Sequence, residues 1–242
     1  MNVARTDEPD AIERRLQSVL REIRAAELHW NRPPGSVTLL AVSKTHGVDA
    51  IRQCIQAGQM QFGENQLQEA LGKIEMLKEQ PLTWHFIGAV QSNKTRGIAE
   101  HFAWVHSVDR LKIAQRLSAQ RPRHLPPLNI CLEVNVSGES SKAGIAPLGL
   151  PALVEDVVQL PGIKLRGLMS VPAPAAAFEA QRRPFRALHG LFSGLNERGY
   201  ELDTLSMGMT DDMAAAIAEG ATLVRVGTAI FGPREVKPNH EA

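Results

Sequence analysis

The 242-residue chain reads as an α/β protein, a single-domain (β/α)8 TIM barrel with an extra N-terminal helix. Eight short β-rich runs are each followed by a helical pattern, with no consecutive hairpins, which argues for parallel strands joined by helical crossovers. Eight such repeats in this length suit a closed barrel better than an open doubly wound sheet. No GxGxxG follows the first strand, which weighs further against a dinucleotide-binding sheet.

The elements follow in order. Ile12, Leu16, Val19, Leu20, Ile23 and Leu28 recur at helical spacing and predict an amphipathic helix over about 9–29. Asn31-Arg32-Pro33-Pro34-Gly35 breaks it. The barrel is then expected over about 37–234, followed by a short C-terminal tail. Its β-rich runs are 37–42, 61–63, 84–88, 104–107, 128–136, 163–169, 204–207 and 223–226. Helical patterns between them cover 49–57, 66–78, 93–101, 110–119, 150–160, 178–197 and 211–218, and a last helix follows Thr228. Pro- and Gly-rich patches at 121–127 and 173–177 fall between elements and read as loops rather than interdomain linkers.

Composition excludes several classes. A formal charge of +1 leaves no electrostatic footprint for nucleic acid or an anionic membrane. Apolar content of 43% and charged content of 22% describe an ordinary soluble globule, and no apolar run approaches a bilayer-spanning length. Met1-Asn2-Val3-Ala4-Arg5 runs directly into acidic, helical sequence and is no signal peptide. Cys54 and Cys131 lack a CxxC and read as small buried side chains in a reducing, cytoplasmic setting rather than a disulfide. The histidines show no HExxH or paired spacing, so no metal site is expected.

In a barrel of this type chemistry sits where strands empty into the loops before helices. Lys44 stands there, at the end of the run Leu39-Leu40-Ala41-Val42-Ser43. A lysine desolvated at that point loses pKa, and its free amine becomes a nucleophile toward aldehydes. The alternative is a lysine that reaches solvent and merely closes the strand. Strand seven leads into Ser206-Met207-Gly208-Met209-Thr210-Asp211-Asp212, and strand eight, from Arg225, into Gly227-Thr228-Ala229. Both loops set glycines and hydroxyls ahead of a helix, a ready anion site at the usual phosphate position of the fold. The competing reading makes Ser206, Thr210 and Thr228 helix caps. An aldehyde-reactive lysine and a phosphate cradle on one rim describe pyridoxal 5′-phosphate.

The segments AVSKT (41–45), FGENQLQE (62–69), WHFIGAVQSNK (84–94), VNVSGESSKAG (134–144), GLMSVP (167–172), LSMGMTDDM (205–213) and RVGTAIFG (225–232) resemble the pyridoxal phosphate homeostasis protein family, also described as alanine-racemase N-terminal-domain-like proteins. The match spans about 37–234. The resemblance implies a single barrel domain holding pyridoxal 5′-phosphate as an internal aldimine on Lys44. It implies Ser206, Met207, Gly227 and Thr228 near the phosphate, Arg225 beside the pyridine nitrogen, and Asn65 near the ring. Asn65 could instead cap the helix beginning at Gln66, and Arg225 could pair with a carboxylate inside the barrel. Three positions depart from the family pattern: His46-Gly47 stands where Lys-Pro is common, and Gln66 where an aromatic or arginine is common.

A guanidinium can donate to the ring nitrogen but not protonate it, which leaves the ring a poorer electron sink. Racemases of this fold carry an extra β domain and use a tyrosine opposite the lysine. Here the chain ends soon after strand eight, and its only tyrosine, Tyr200, precedes strand seven on the far side of the barrel. The expectation is therefore a cytoplasmic, monomeric cofactor-binding protein without catalytic residues, supplying or buffering the cofactor for dependent apoenzymes. A slow amino-acid racemase or lyase, using Lys44 and His85 or a water, is the alternative. A cofactor-free Schiff-base aldolase is a third possibility. His85 is expected to point inward as a satisfied core histidine, and Lys94 and Lys142 to be solvated, with Lys142 a candidate second aldehyde acceptor. Glu64, Asp211 and Asp212 read as carboxylates favoured by helix N-termini.

Overall fold

The computed structural model describes residues 11–139 and 142–233. After α1 (Ala11–His29) the chain alternates strands and helices. The first half runs β1 (Thr38–Val42), α2 (Val48–Gln56), β2 (Gln61–Glu64), α3 (Leu67–Met76), β3 (Thr83–Phe86), α4 (Thr95–His101), β4 (Trp104–Val108) and α5 (Leu111–Gln120). The second runs β5 (Leu128–Glu133), α6 (Leu150–Val157), β6 (Ile163–Met169), α7 (Phe178–Glu197), β7 (Thr204–Ser206), α8 (Met213–Ala218), β8 (Leu223–Val226) and α9 (Thr228–Phe231). The strands close in sequence order, every pair parallel, with β1 hydrogen-bonded to β8. This is the expected (β/α)8 barrel.

Alternation along each strand divides the core into two zones. On β1, Leu39 and Ala41 join Phe62, Trp84, Ile130, Val224 and Val226 in the apolar layer under the helices. Leu40 faces the barrel axis, where a Cβ on Gly63 would meet both Leu40 and Ile87. The helix α1 buries Ile12, Leu16, Val19 and Ile23 and lies across α8 and α9, covering the last elements of the barrel. At its end the buried Glu27 accepts the amides of Gly35 (3.0 Å) and Val37 (2.7 Å), which fixes the turn delivering β1.

The boundaries of β6, α7 and β8 fall where the patterns predict, and α7 continues through Pro184. Strands β1 and β7 are one residue shorter than expected, and β3 and β5 end two and three residues early. The β5 ladder stops at Glu133 because Asn135 folds its side chain over the next turn, accepting from Gly138 N (3.0 Å) and donating to Glu139 O (2.8 Å). The β3 ladder stops at Phe86, two residues before Gly88, whose α-carbon lies so near Asn65 that a Cβ there would clash with the Asn65 carbonyl oxygen. Residues 9–10 of the expected first helix, and the expected barrel end at 234 with its tail, lie outside the described residues.

Among the described residues, no helix is long and apolar enough to cross a membrane, and no group of three or more His, Cys, Asp or Glu could hold a metal ion. Cys54 and Cys131 are free and buried, as expected, and burial pushes both thiols up to about 12.

Candidate functional site

A polar crossbar spans the barrel interior below its C-terminal mouth. His85 Nδ1 on β3 lies 2.9 Å from His106 Nε2 on β4, and His106 Nδ1 lies 2.7 Å from Ser206 Oγ on β7. Strands β4 and β7 are not neighbours, so the last bond crosses the lumen. Arg225 on β8 closes the chain, donating through Nη1 to Ser206 Oγ (2.8 Å) and Ser206 O (2.6 Å), and through Nη2 to Ser170 O (2.9 Å). Arg225 is 5% exposed; burial lowers its pKa to about 10, so it stays charged at neutral pH. Asp212 and Glu133 act against that lowering through their fields, but Nη1 and Nη2 donate to serine oxygens rather than to a carboxylate.

Both histidines are held neutral. Burial lowers His85 to about 3, and burial, His85 and the Arg225 charge hold His106 well below the usual histidine range. One ordering of protons satisfies the whole row: Arg225 donates to Ser206, Ser206 to His106, and His106 to His85. It leaves His85 Nε2 as the terminal N–H, the atom that lies buried without a partner. The unfolded chain takes up protons at these histidines below about pH 6.5, whereas the native state does not. Their contribution is therefore intact above that pH and lost as pH falls from about 6.5 toward 3. Denaturant melts across this window should show stability falling with acid by up to about 1.4 kcal/mol per pH unit per histidine. Replacing His85 and His106 together by apolar residues should flatten that slope.

Lys44 lies two residues beyond Val42 on the register that faces the lumen, half-buried at the mouth. It sits in a tight turn closed by His46 N donating to Ser43 O (3.1 Å), and Thr45 has φ +68°. Outside the barrel wall, Ser43 Oγ donates to Glu64 Oε1 (2.6 Å), and the buried Lys73 of α3 donates to Glu64 Oε1 (2.7 Å), Glu69 Oε1 (2.6 Å) and Ser43 O (2.8 Å). Thr45 N donates to the same Glu69 oxygen at 2.6 Å. Glu64 is thus a fully buried carboxylate at the end of β2, raised in pKa by burial against the opposing pull of Lys73 and Ser43. This corrects its expected place at a helix N-terminus.

Opposite β1's other edge, Gly227 presses on the strand exit: a Cβ there would stand 3.1 Å from Val42 O. Thr228 opens α9, and the leading amides of such a turn have no acceptor within it. His46 stacks on Phe231 of α9 with centroids 4.9 Å apart, joining the Lys44 turn to the turn after β8. Gly208, φ +93°, admits no side chain, since a Cβ would lie 2.5 Å from that of Ala216. Met207 is buried in the outer layer, with its amide on Leu223 O.

The rim therefore gathers Lys44, Asn65, Gly227 and Thr228, with Arg225 and Ser206 just beneath. The capping alternatives fail: α3 has Gln66 at its N-cap, α8 has Asp212 and α9 has Gly227, none with a side-chain cap bond. Ser206 spends its hydroxyl on His106 and Arg225, so only its backbone stands near the rim. Asp212 accepts from Met209 N (2.6 Å) and closes the turn before α8. Lys142 lies half-buried beside the Asn135 turn, its carbonyl 3.3 Å from Asn135 Nδ2. Tyr200 precedes β7, at the opposite end of the barrel. His106, Ser170, Glu69 and Lys73 were not singled out by the sequence. Ser170 follows β6, His106 lies within β4, and Glu69 and Lys73 stand four apart on α3, which was the only available signal.

Two buried oxygens at the mouth, Asn65 Oδ1 and Ser170 Oγ, have no partner. An unmatched buried acceptor or hydroxyl costs about 1–3 kcal/mol, so a hydrogen-bonding ligand would stabilise this rim.

The alanine racemase N-terminal domain family model matches residues 15–235. A pyridoxal phosphate homeostasis protein of Pseudomonas aeruginosa is 60% identical over 220 residues, 91% of this chain and 94% of that one. The Escherichia coli K12 protein of the same name is 51% identical over 223 residues, 91% of this chain and 95% of that one. PipY of Synechococcus elongatus, solved with pyridoxal phosphate bound, superposes with a TM-score of 0.80 at 38% identity, covering 91% of this chain and all of that one.

Proposed function

The chain belongs to the pyridoxal phosphate homeostasis protein family, built on the alanine racemase N-terminal barrel, and from that premise we propose that it binds pyridoxal 5′-phosphate through Lys44 and buffers its supply. The observation that carries the reading is the convergence of Lys44, a buried Arg225 cation and the unmatched Asn65 and Ser170 oxygens on one barrel mouth. These residues fit the group: an amine for its aldehyde, a fixed donor for its ring nitrogen, hydrogen-bonding oxygens beside it, and turn amides for its phosphate.

When bound, the cofactor supplies an aldehyde carbon that an amine converts to a carbon–nitrogen double bond with loss of water. Lys44 is the amine. Gly227 and Thr228 would hold the phosphate with backbone amides, backed by the Ser206–Met207 segment, and Asn65 would face the ring. Arg225, charged and braced by Ser206 and Ser170, would donate to the ring nitrogen without yielding a proton to it. Histidines held neutral inside the barrel, one with a pKa of about 3, are poor bases at neutral pH, which supports storage over turnover. The same reading makes the chain a single cytoplasmic domain, acting as a monomer, with pyridoxal phosphate-dependent apoenzymes as recipients.

Added pyridoxal phosphate should give a visible absorbance band, and borohydride should then fix the label on the peptide containing Lys44. A label on Lys142 or Lys94 instead would overturn the assignment. Rapid α-deuterium exchange on a panel of amino acids, lost in Lys44→Ala and His85→Ala, would replace buffering with catalysis.

A further inference from the structure

We propose that Glu69 and Lys73 are positioning residues that clamp the backbone on both sides of Lys44 and so set the rate at which its amine meets an aldehyde. The inference rests on the reading of Lys44 given above. In that step Lys44 Nζ forms the double bond to the aldehyde carbon, and two protons leave with the aldehyde oxygen as water.

The clamp is symmetrical about one residue. Before Lys44, the carbonyl of Ser43 accepts from Lys73 Nζ (2.8 Å) while the Ser43 hydroxyl is tied to Glu64 (2.6 Å). After it, the amide of Thr45 donates to Glu69 Oε1 (2.6 Å), and Lys73 holds that same oxygen at 2.6 Å. Both peptide units flanking Lys44 are thus tied to one buried ammonium on α3. The clamp also accounts for the backbone. Thr45 is β-branched yet has φ +68°, a conformation such residues rarely adopt and which persists only where the surroundings hold it. His46, stacked on Phe231, constrains the far side of the turn.

Function follows from geometry. An amine on a four-carbon stem reaches a fixed aldehyde efficiently only if its Cα is fixed, and a misplacement of about 1 Å can cost a hundred-fold in rate. The outer side of the clamp opens to a cleft of about 760 Å³ lined by Thr45, Gly47, Glu69 and Met76. Glu69 is 27% exposed there, whereas Glu64 is 0% exposed, so Glu69 can be altered without stranding a buried charge.

The test pairs two ligands with Glu69→Ala and Glu69→Gln. Pyridoxine 5′-phosphate, an alcohol that cannot condense, reports the phosphate and ring contacts; pyridoxal 5′-phosphate reports capture by stopped-flow absorbance. In Glu69→Ala the capture rate should fall between about ten- and a hundred-fold. Pyridoxine phosphate affinity should be unchanged, and hydrogen exchange at the Thr45 amide should accelerate in the ligand-free protein. Glu69→Gln, whose amide oxygen still accepts from Thr45, should recover most of the rate. Capture at the wild-type rate in Glu69→Ala, or equal loss for both ligands, overturns the positioning role. A wild-type protein with no Lys44-dependent band overturns the reading of Lys44 and the clamp's role with it.

Discussion

Lys44→Ala is expected to abolish the pyridoxal phosphate absorbance band and all borohydride-fixed label, while the protein remains folded. The side chain is half-buried in a turn, outside the apolar layer, so its truncation should change stability by about 1 kcal/mol or less. Contacts from Arg225 and the turns after β7 and β8 remain, so weak, non-covalent binding should persist and be competed by pyridoxine phosphate. Lys44→Arg separates charge from chemistry: a guanidinium keeps the cation but stays protonated and cannot add to an aldehyde. It should be as inert as alanine. An absorbance spectrum and a peptide map check both, and a band surviving in either variant removes Lys44 from the site.

Lys73→Met is expected to be the most destabilising single change near the site. It strips from Glu64 its only cationic partner among the described residues, leaving a carboxylate 0% exposed whose second oxygen already has no partner. Breaking one side of a buried pair costs about 3–5 kcal/mol, because the remaining charge is uncompensated. Burial already raises the Glu64 pKa, and loss of Lys73 removes the strongest opposing influence. In the variant a folded-state proton is therefore held above the unfolded value, and the loss of stability relative to wild type, in which the histidine contribution cancels, should be smaller at pH 5 than at pH 8. Chemical denaturation at both pH values checks the sign. The double variant Glu64→Gln/Lys73→Met should recover much of the loss, since no buried charge remains. A single variant within about 0.5 kcal/mol of wild type at pH 8 would show that Glu64 is already neutral.

The barrel was legible because its signal is local. The run Ile163–Met169, the helical stripe of Phe178–Glu197 and the strand Leu223–Val226 each carry their period within a few residues. Where boundaries slipped, a side chain or a close approach decided them: Asn135 folding over its turn ended β5, and Gly88 against Asn65 ended β3. Lys44 could be singled out because it stands at the end of an apolar strand, where a charge needs a reason, whereas Arg225 was reached through the family resemblance. The crossbar could not. His106 and Ser206 lie a hundred positions apart, and only closure of the sheet brings them within 2.7 Å. The clamp was hidden differently. Glu69 and Lys73 look like an ordinary surface pair four apart on a helix, and the docking of α3 against Ser43 and Thr45 converts them into support for Lys44.

The bond from His106 to Ser206 has a consequence for assembly. Side chains alternate between lumen and wall, so a one-residue slip of β4 or β7 would swing one partner out of the lumen and strand the other in an apolar interior. The contact therefore acts as a proofreader of strand register across the diameter, accepting one stagger as the cylinder closes and penalising the adjacent ones.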